Sequence, residues 1–164
     1  MSKREITIPD YTKGEEIFNM VSHIVGGAVG IVALTLCVIF AALHGNVYGV
    51  VGSAIYGASM IILYTMSSIY HGLKPELTAK KVFRKIDHCA IFMLIAGTYT
   101  PILLLTVDFP LSVALLAMTW YLAITGIIYS CLTLKFKYLS TGLYLVMGWL
   151  SLFLIYTIWN NANP

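Results

Sequence analysis

Three short clusters of polar residues interrupt a largely apolar sequence, and their types point to metal or acid–base chemistry. The first is Glu16, Asn19, Ser22 and His23. Glu16, Asn19 and His23 stand at i, i+3 and i+7, one face of a helix that continues as Gly26, Gly27 and Gly30. The second is Ser67-Ser68-Ile69-Tyr70-His71, in which Ser67 and His71 are one helical turn apart. The third is Asp87-His88. Imidazole, carboxylate and hydroxyl together are the materials of a zinc site with an activated water. In such a site His71 is the metal ligand and Ser67 the hydroxyl that supports it. Each cluster also has a plainer reading: a polar helix face meeting headgroups, an interfacial Tyr-His pair closing a helix, an aspartate capping a helix start. No His-Glu-x-x-His or Cys-x-x-Cys spacing decides between them. A catalytic zinc takes about three protein ligands.

The elements that would position these residues are membrane helices. Hydrophobic residues make up 59% of the 164-residue chain and charged residues 10%, against roughly 25% charged in a soluble domain. Ten basic and seven acidic side chains are too few to cover a water-facing surface. Five apolar stretches of about membrane-spanning length follow one another, at about 21–43, 47–70, 86–107, 110–132 and 138–159. Thr12-Lys13-Gly14-Glu15 has the form of a capping box opening the first helix. The connections His44-Gly45-Asn46 and Asp108-Phe109-Pro110 carry no Lys or Arg. Lys3, Arg4 and Lys13 precede the first span, and Lys135 and Lys137 lie before the fifth. A loop read from Gly72 to Lys85 holds Lys74, Lys80, Lys81, Arg84 and Lys85. With five spans all ten basic residues fall on one side, which the positive-inside rule makes the cytoplasm.

The expected architecture is therefore an all-α polytopic bundle of about five spans in the cell inner (plasma) membrane, N-terminus in and C-terminus out. Residues 1–13 form a cytoplasmic segment, 14–159 the transmembrane domain and 160–164 an external tail. This topology brings Glu16, His23, Ser67, His71, Asp87 and His88 to one cytoplasmic depth and leaves His44 on the opposite face. An ionisable group costs roughly 2.5–3.5 kcal/mol at the centre of a span, less near its end, so these groups need partners. Gly26-x-x-x-Gly30 and Ser53-x-x-x-Gly57 allow close helix approach. Pro101 removes the donor for the Gly97 carbonyl, which predicts a kink with Thr98 or Thr100 serving the freed backbone. Cys37, Cys89 and Cys131 are odd in number and without metal-type spacing, and read as small apolar filler.

Five motifs in order carry a resemblance to a known family. They are Glu16-x-x-Asn19-x-x-Ser22-His23, Ser67-x-x-Tyr70-His71, Arg84-x-x-Asp87-His88, Ala96-Gly97-Thr98-Tyr99-Thr100-Pro101 and Leu143-Tyr144-Leu145-x-Met147-Gly148-Trp149. From Glu15 onward the chain resembles the bacterial hemolysin III family, relatives of the progestin and adipoQ receptors that include the adiponectin receptors. The resemblance implies a seven-span fold with zinc near the cytoplasmic side. It implies His71 as one zinc ligand, Ser67 one turn earlier, and Asp87 holding or activating the zinc-bound water, with Glu16, Asn19, His23 and His88 nearby. A relation to alkaline ceramidases implies zinc-dependent hydrolysis of a lipid amide. The hemolysin name implies instead a pore-forming, cytolytic or membrane-homeostasis role without enzymatic activity. The family's seventh span carries a His-x-x-x-His pair, and no histidine follows His88 here. The expectation is a chain truncated after the fifth span, with one of three zinc ligands and weak or absent zinc binding. Membrane lipids are the expected partners and nucleic acid is not; oligomeric state is left open.

Overall fold

The computed structural model describes residues 8–132 and 137–162. Five helices follow in order: α1 (Lys13–Leu43), α2 (Val47–Gly72), α3 (Thr78–Thr106), α4 (Leu111–Leu132) and α5 (Lys137–Ala162). There is no strand among the described residues. Helices α1 to α4 are each long and apolar enough to cross a membrane, and α5 carries a shorter apolar stretch, Ser140–Tyr156. Of the residues used to orient the chain, Lys3, Arg4 and Lys135 lie outside the described ones, as do Asn163 and Pro164.

Local chemistry sets the helix boundaries. Thr12 caps α1: its Oγ1 accepts from the Glu15 N–H at 3.3 Å, and the Glu15 carboxylate accepts from the Thr12 N–H at 2.7 Å. At the other end Gly45 takes φ +65°, a left-handed conformation that glycine enters without a Cβ clash. Asn46 then caps α2, its side chain accepting from the Gly49 N–H at 2.9 Å. This three-residue turn makes α1 and α2 antiparallel neighbours. The segment read as a loop to Lys85 is helical from Thr78 onward, so Lys80, Lys81, Arg84 and Lys85 belong to α3. The dense charge disguises a helix whose first two turns precede its apolar part.

Packing is sequential. α1 lies on α2, α2 on α3 and α3 on α4, while α5 packs against α3 and α4. Phe92, Ala96, Ala123 and Met147 form one buried cluster across α3, α4 and α5. Tyr99, Leu103, Val107 and Leu154 form a second. Val29, Val32, Phe40, Tyr121, Ile128 and Trp149 are each more than half exposed. An outer surface of that kind suits lipid and would be a large apolar patch in water. The molecule is accordingly a multi-pass membrane protein.

Small residues set the helix spacing. A Cβ on Gly57 would stand 2.5 Å from Leu34 Cβ, and one on Gly52 would stand 2.7 Å from Pro101 Cα. Helix α3 passes through Pro101 without interruption. The hydroxyls expected to serve the Gly97 carbonyl are engaged elsewhere, because each reaches its own i−4 carbonyl more directly. Thr98 donates to Leu94 O at 2.8 Å, and Thr100 donates to Ala96 O at 2.9 Å. Trp120 Nε1 donates in turn to Thr100 Oγ1 at 3.1 Å.

Alternating helix direction gathers the start of α1, the end of α2, the start of α3 and the end of α4 at one end of the bundle. Side-chain bonds join them: Glu16 to His71, Lys80 to the Leu73 carbonyl, and Lys85 to the Cys131 carbonyl. This is the basic end.

Candidate functional site

Glu16 stands in the first turn of α1, where its side chain can reach the last turn of α2. His71 Nδ1 lies 2.6 Å from Glu16 Oε2. A carboxylate only accepts, so Nδ1 carries a proton, and Nε2 is the ring nitrogen turned away from Glu16. The other oxygen, Glu16 Oε1, accepts from the Lys80 ammonium at 2.6 Å. Lys80 is completely buried. It also donates to the Leu73 carbonyl at 2.8 Å and lies 5.1 Å from the centre of the buried Tyr70 ring. Three helix ends therefore meet in a single chain of contacts, Lys80 to Glu16 to His71.

The chemistry of that chain is self-consistent. A buried ammonium is tolerated only with a counter-charge and acceptors for its protons, and Glu16, the Leu73 carbonyl and the Tyr70 face supply them. Leu73 closes α2, where the helix leaves its last carbonyls unpaired and carries partial negative charge. The lysine thus answers two needs at once. Glu16, fixed by Lys80, in turn holds the His71 ring in one orientation. Aromatic groups enclose the ring: Tyr70 at 4.6 Å between centroids, Tyr11 at 5.8 Å and His23 at 5.9 Å.

The structure brings together Glu16, His23 and His71. Asn19 contributes its backbone carbonyl, which accepts from His23 Nδ1 and from Ser22 Oγ. Ser67 is buried one turn before His71. Asp87 pairs with its own neighbour, His88, at 3.8 Å, so the carboxylate on His71 is Glu16. Asp87 still lies within electrostatic reach of Tyr70, as do Glu16 and Arg84. His88 Nδ1 donates to the Arg84 carbonyl at 2.9 Å, and its own carbonyl accepts from Tyr144 of α5 at 3.1 Å. A groove of about 300 Å³ between α1 and α2 opens beside His23, lined also by Gly27, Ile31, Ile61, Tyr64 and Ser68.

Lys80 is the member that sequence reasoning missed. Among Lys74, Lys81, Arg84 and Lys85 it reads as one more basic loop residue. The available signal was the spacing Lys80, Arg84, Asp87 at i, i+4 and i+7, which puts all three on one face of a helix beginning near Thr78.

As a zinc ligand His71 has a suitable surround, because a carboxylate on Nδ1 is the usual support for a metal-binding Nε2. The full donor set is another matter. Among the described residues no group of three or more His, Cys, Asp or Glu side chains is arranged to hold a metal ion. These residues do not fit a complete catalytic zinc site.

Comparison with known proteins bears on the same residues. A family model described as "Haemolysin-III related" matches residues 11–164. "Hemolysin-3" of Bacillus cereus is 40% identical over 165 aligned positions, covering 99% of this chain and 74% of that relative. "Hemolysin-3 homolog" of Bacillus subtilis (strain 168) is 43% identical over 141 positions, covering 85% of this chain and 66% of that relative. The chain thus spans about three quarters of the first relative and about two thirds of the second. No solved structure matches it. With the match running from the α1 cap through every helix, the chain belongs to the haemolysin-III-related family.

Proposed function

We propose that this protein is a lipid-amide hydrolase of the zinc-dependent kind, with these residues supplying one corner of its site. The observation that carries the reading is the Glu16 carboxylate on His71 Nδ1, backed by buried Lys80. That arrangement orients the ring and leaves Nε2 as the nitrogen free to meet a metal. Zinc, were the remaining ligands supplied, would polarise a carbonyl and acidify a water. The protein's own residues do the rest: Glu16 and Lys80 orient His71, Ser67 offers a buried hydroxyl one turn away, and Asp87 is the carboxylate assigned to proton transfer. The groove beside His23 gives a lipid chain access from the bilayer.

On this reading the donor set among the described residues is incomplete. A four-ligand structural zinc site is worth about 10–16 kcal/mol, so one histidine in proportion supplies about 2.5–4 kcal/mol, a dissociation constant of about 1–15 mM. The expected result of metal analysis on the detergent-purified chain is weak zinc binding that dialysis removes and that His71→Ala abolishes. Stoichiometric zinc surviving dialysis would contradict an incomplete site. Weak binding indifferent to His71→Ala would contradict the ligand assignment.

The basic end is taken to face the cytoplasm of the cell inner (plasma) membrane, supported by the clustering of Lys and Arg there. Reporter fusions are expected to place the N-terminus inside and residue 162 outside. A reporter at residue 162 active only in the cytoplasm would contradict five spans.

A second reading, lysis by pore formation without enzymatic activity, is supported by the names of the relatives, which call those proteins hemolysins. Release of a trapped dye from vesicles, unaffected by His71→Ala, would favour it over hydrolysis.

A further inference from the structure

Two of the three cysteines form a pair that neither the fold nor the Glu16–His71–Lys80 chain uses. Cys89 on α3 and Cys131 on α4 have their sulfurs 3.6 Å apart, although 42 positions separate them in sequence. Both are free thiols; Cys131 is exposed and Cys89 half-buried. Their approach is built into the helix packing. The Cys89 thiol points at the Ile127 carbonyl at 3.7 Å, one turn before Cys131. The Lys85 ammonium, one turn before Cys89, donates to the Cys131 carbonyl at 2.8 Å. These contacts bracket the sulfurs from both sides and hold the two helices in register. Covalent closure requires a sulfur–sulfur separation near 2.05 Å, so side-chain rotation must remove about 1.5 Å.

We propose that Cys89 and Cys131 form a reversible oxidation site, a dithiol that a peroxide converts to an intramolecular disulfide between α3 and α4. The exposed Cys131 sulfur attacks hydrogen peroxide: an S–O bond forms, the O–O bond breaks, and water leaves. The Cys89 thiol then attacks the sulfenic sulfur, forming the S–S bond and releasing a second water. Each turn oxidises two thiols and reduces one peroxide. A dithiol reductant reverses it by exchange. Because Cys89 directly follows His88, closure ties the stretch of α3 that carries Asp87 to the end of α4.

The test uses the full chain in native membranes, treated with hydrogen peroxide and measured by intact mass and non-reducing electrophoresis. The expected product is a monomer lighter by two hydrogens, retaining only Cys37 as a titratable thiol and restored by dithiothreitol. Cys37→Ser is expected to close as the wild type does. Cys89→Ser and Cys131→Ser are each expected to keep their mass or gain oxygen without losing two hydrogens. Three titratable thiols after peroxide, a covalent dimer, or closure surviving in either single variant would overturn the proposal.

Discussion

Lys80→Met is expected to lower the stability of the folded chain by about 3 kcal/mol. The lysine is completely buried, and its ammonium bonds both Glu16 Oε1 and the Leu73 carbonyl. Methionine fills a similar volume, so lost packing contributes little. What remains is a carboxylate facing the protein interior without its cation and an α2 terminus without its donor. Removing one member of a buried ion pair costs about 3–5 kcal/mol, and the low end applies because the Glu16 side chain keeps 16% exposure. Unfolding by sodium dodecyl sulfate in mixed micelles reads the loss directly. A variant as stable as wild type would show that the ammonium is solvated rather than buried.

The second large effect is steric. Gly126→Ala is expected to cost about 2–3 kcal/mol, at the upper end of overpacking penalties. The added Cβ would overlap the ring of Phe92, which is fully buried in the cluster with Ala96, Ala123 and Met147. A ring held on all sides cannot swing aside as the end of a flexible chain does, so α3 and α4 must separate. Phe92→Leu in the Gly126→Ala background frees that space and is expected to recover a good part of the loss. The same micelle unfolding assay measures both. If the double variant is no better than the sum of the two single ones, the two residues are not in contact.

Much of the fold was legible because it rests on local or averaged properties. Apolar stretches of membrane length announce α1 to α4 whatever their neighbours, and Thr12 with Glu15 marks the α1 start through contacts three residues apart. Lys80 was not legible. Its burial depends on Glu16, 64 positions away, and a lysine among other lysines reads as solvated until that partner is placed. The site was legible to the level of helix ends. Topology alone brought Glu16, His23 and His71 to one end. Which carboxylate meets which imidazole depends on the rotation of each helix about its axis, which hydropathy does not report. That is why the sequence does not show that the carboxylate on His71 is Glu16. The Cys89–Cys131 contact was hidden for the same reason: spacing rules find metal motifs within one segment, not two thiols on facing helices.

The central claim is that the Lys80–Glu16 ion pair, with Glu16 also accepting from His71, joins three helix ends. A double-mutant cycle between Glu16→Gln and Lys80→Met tests it most directly, with unfolding free energy as the readout. Each single variant strands one charge at the basic end, whereas the double variant removes both. The account predicts that the double variant is more stable than Lys80→Met alone, with a coupling energy of about 2 kcal/mol or more, because the stranded charge rather than the lost attraction dominates the cost. Additive losses, with the double variant the least stable of the three, would contradict it.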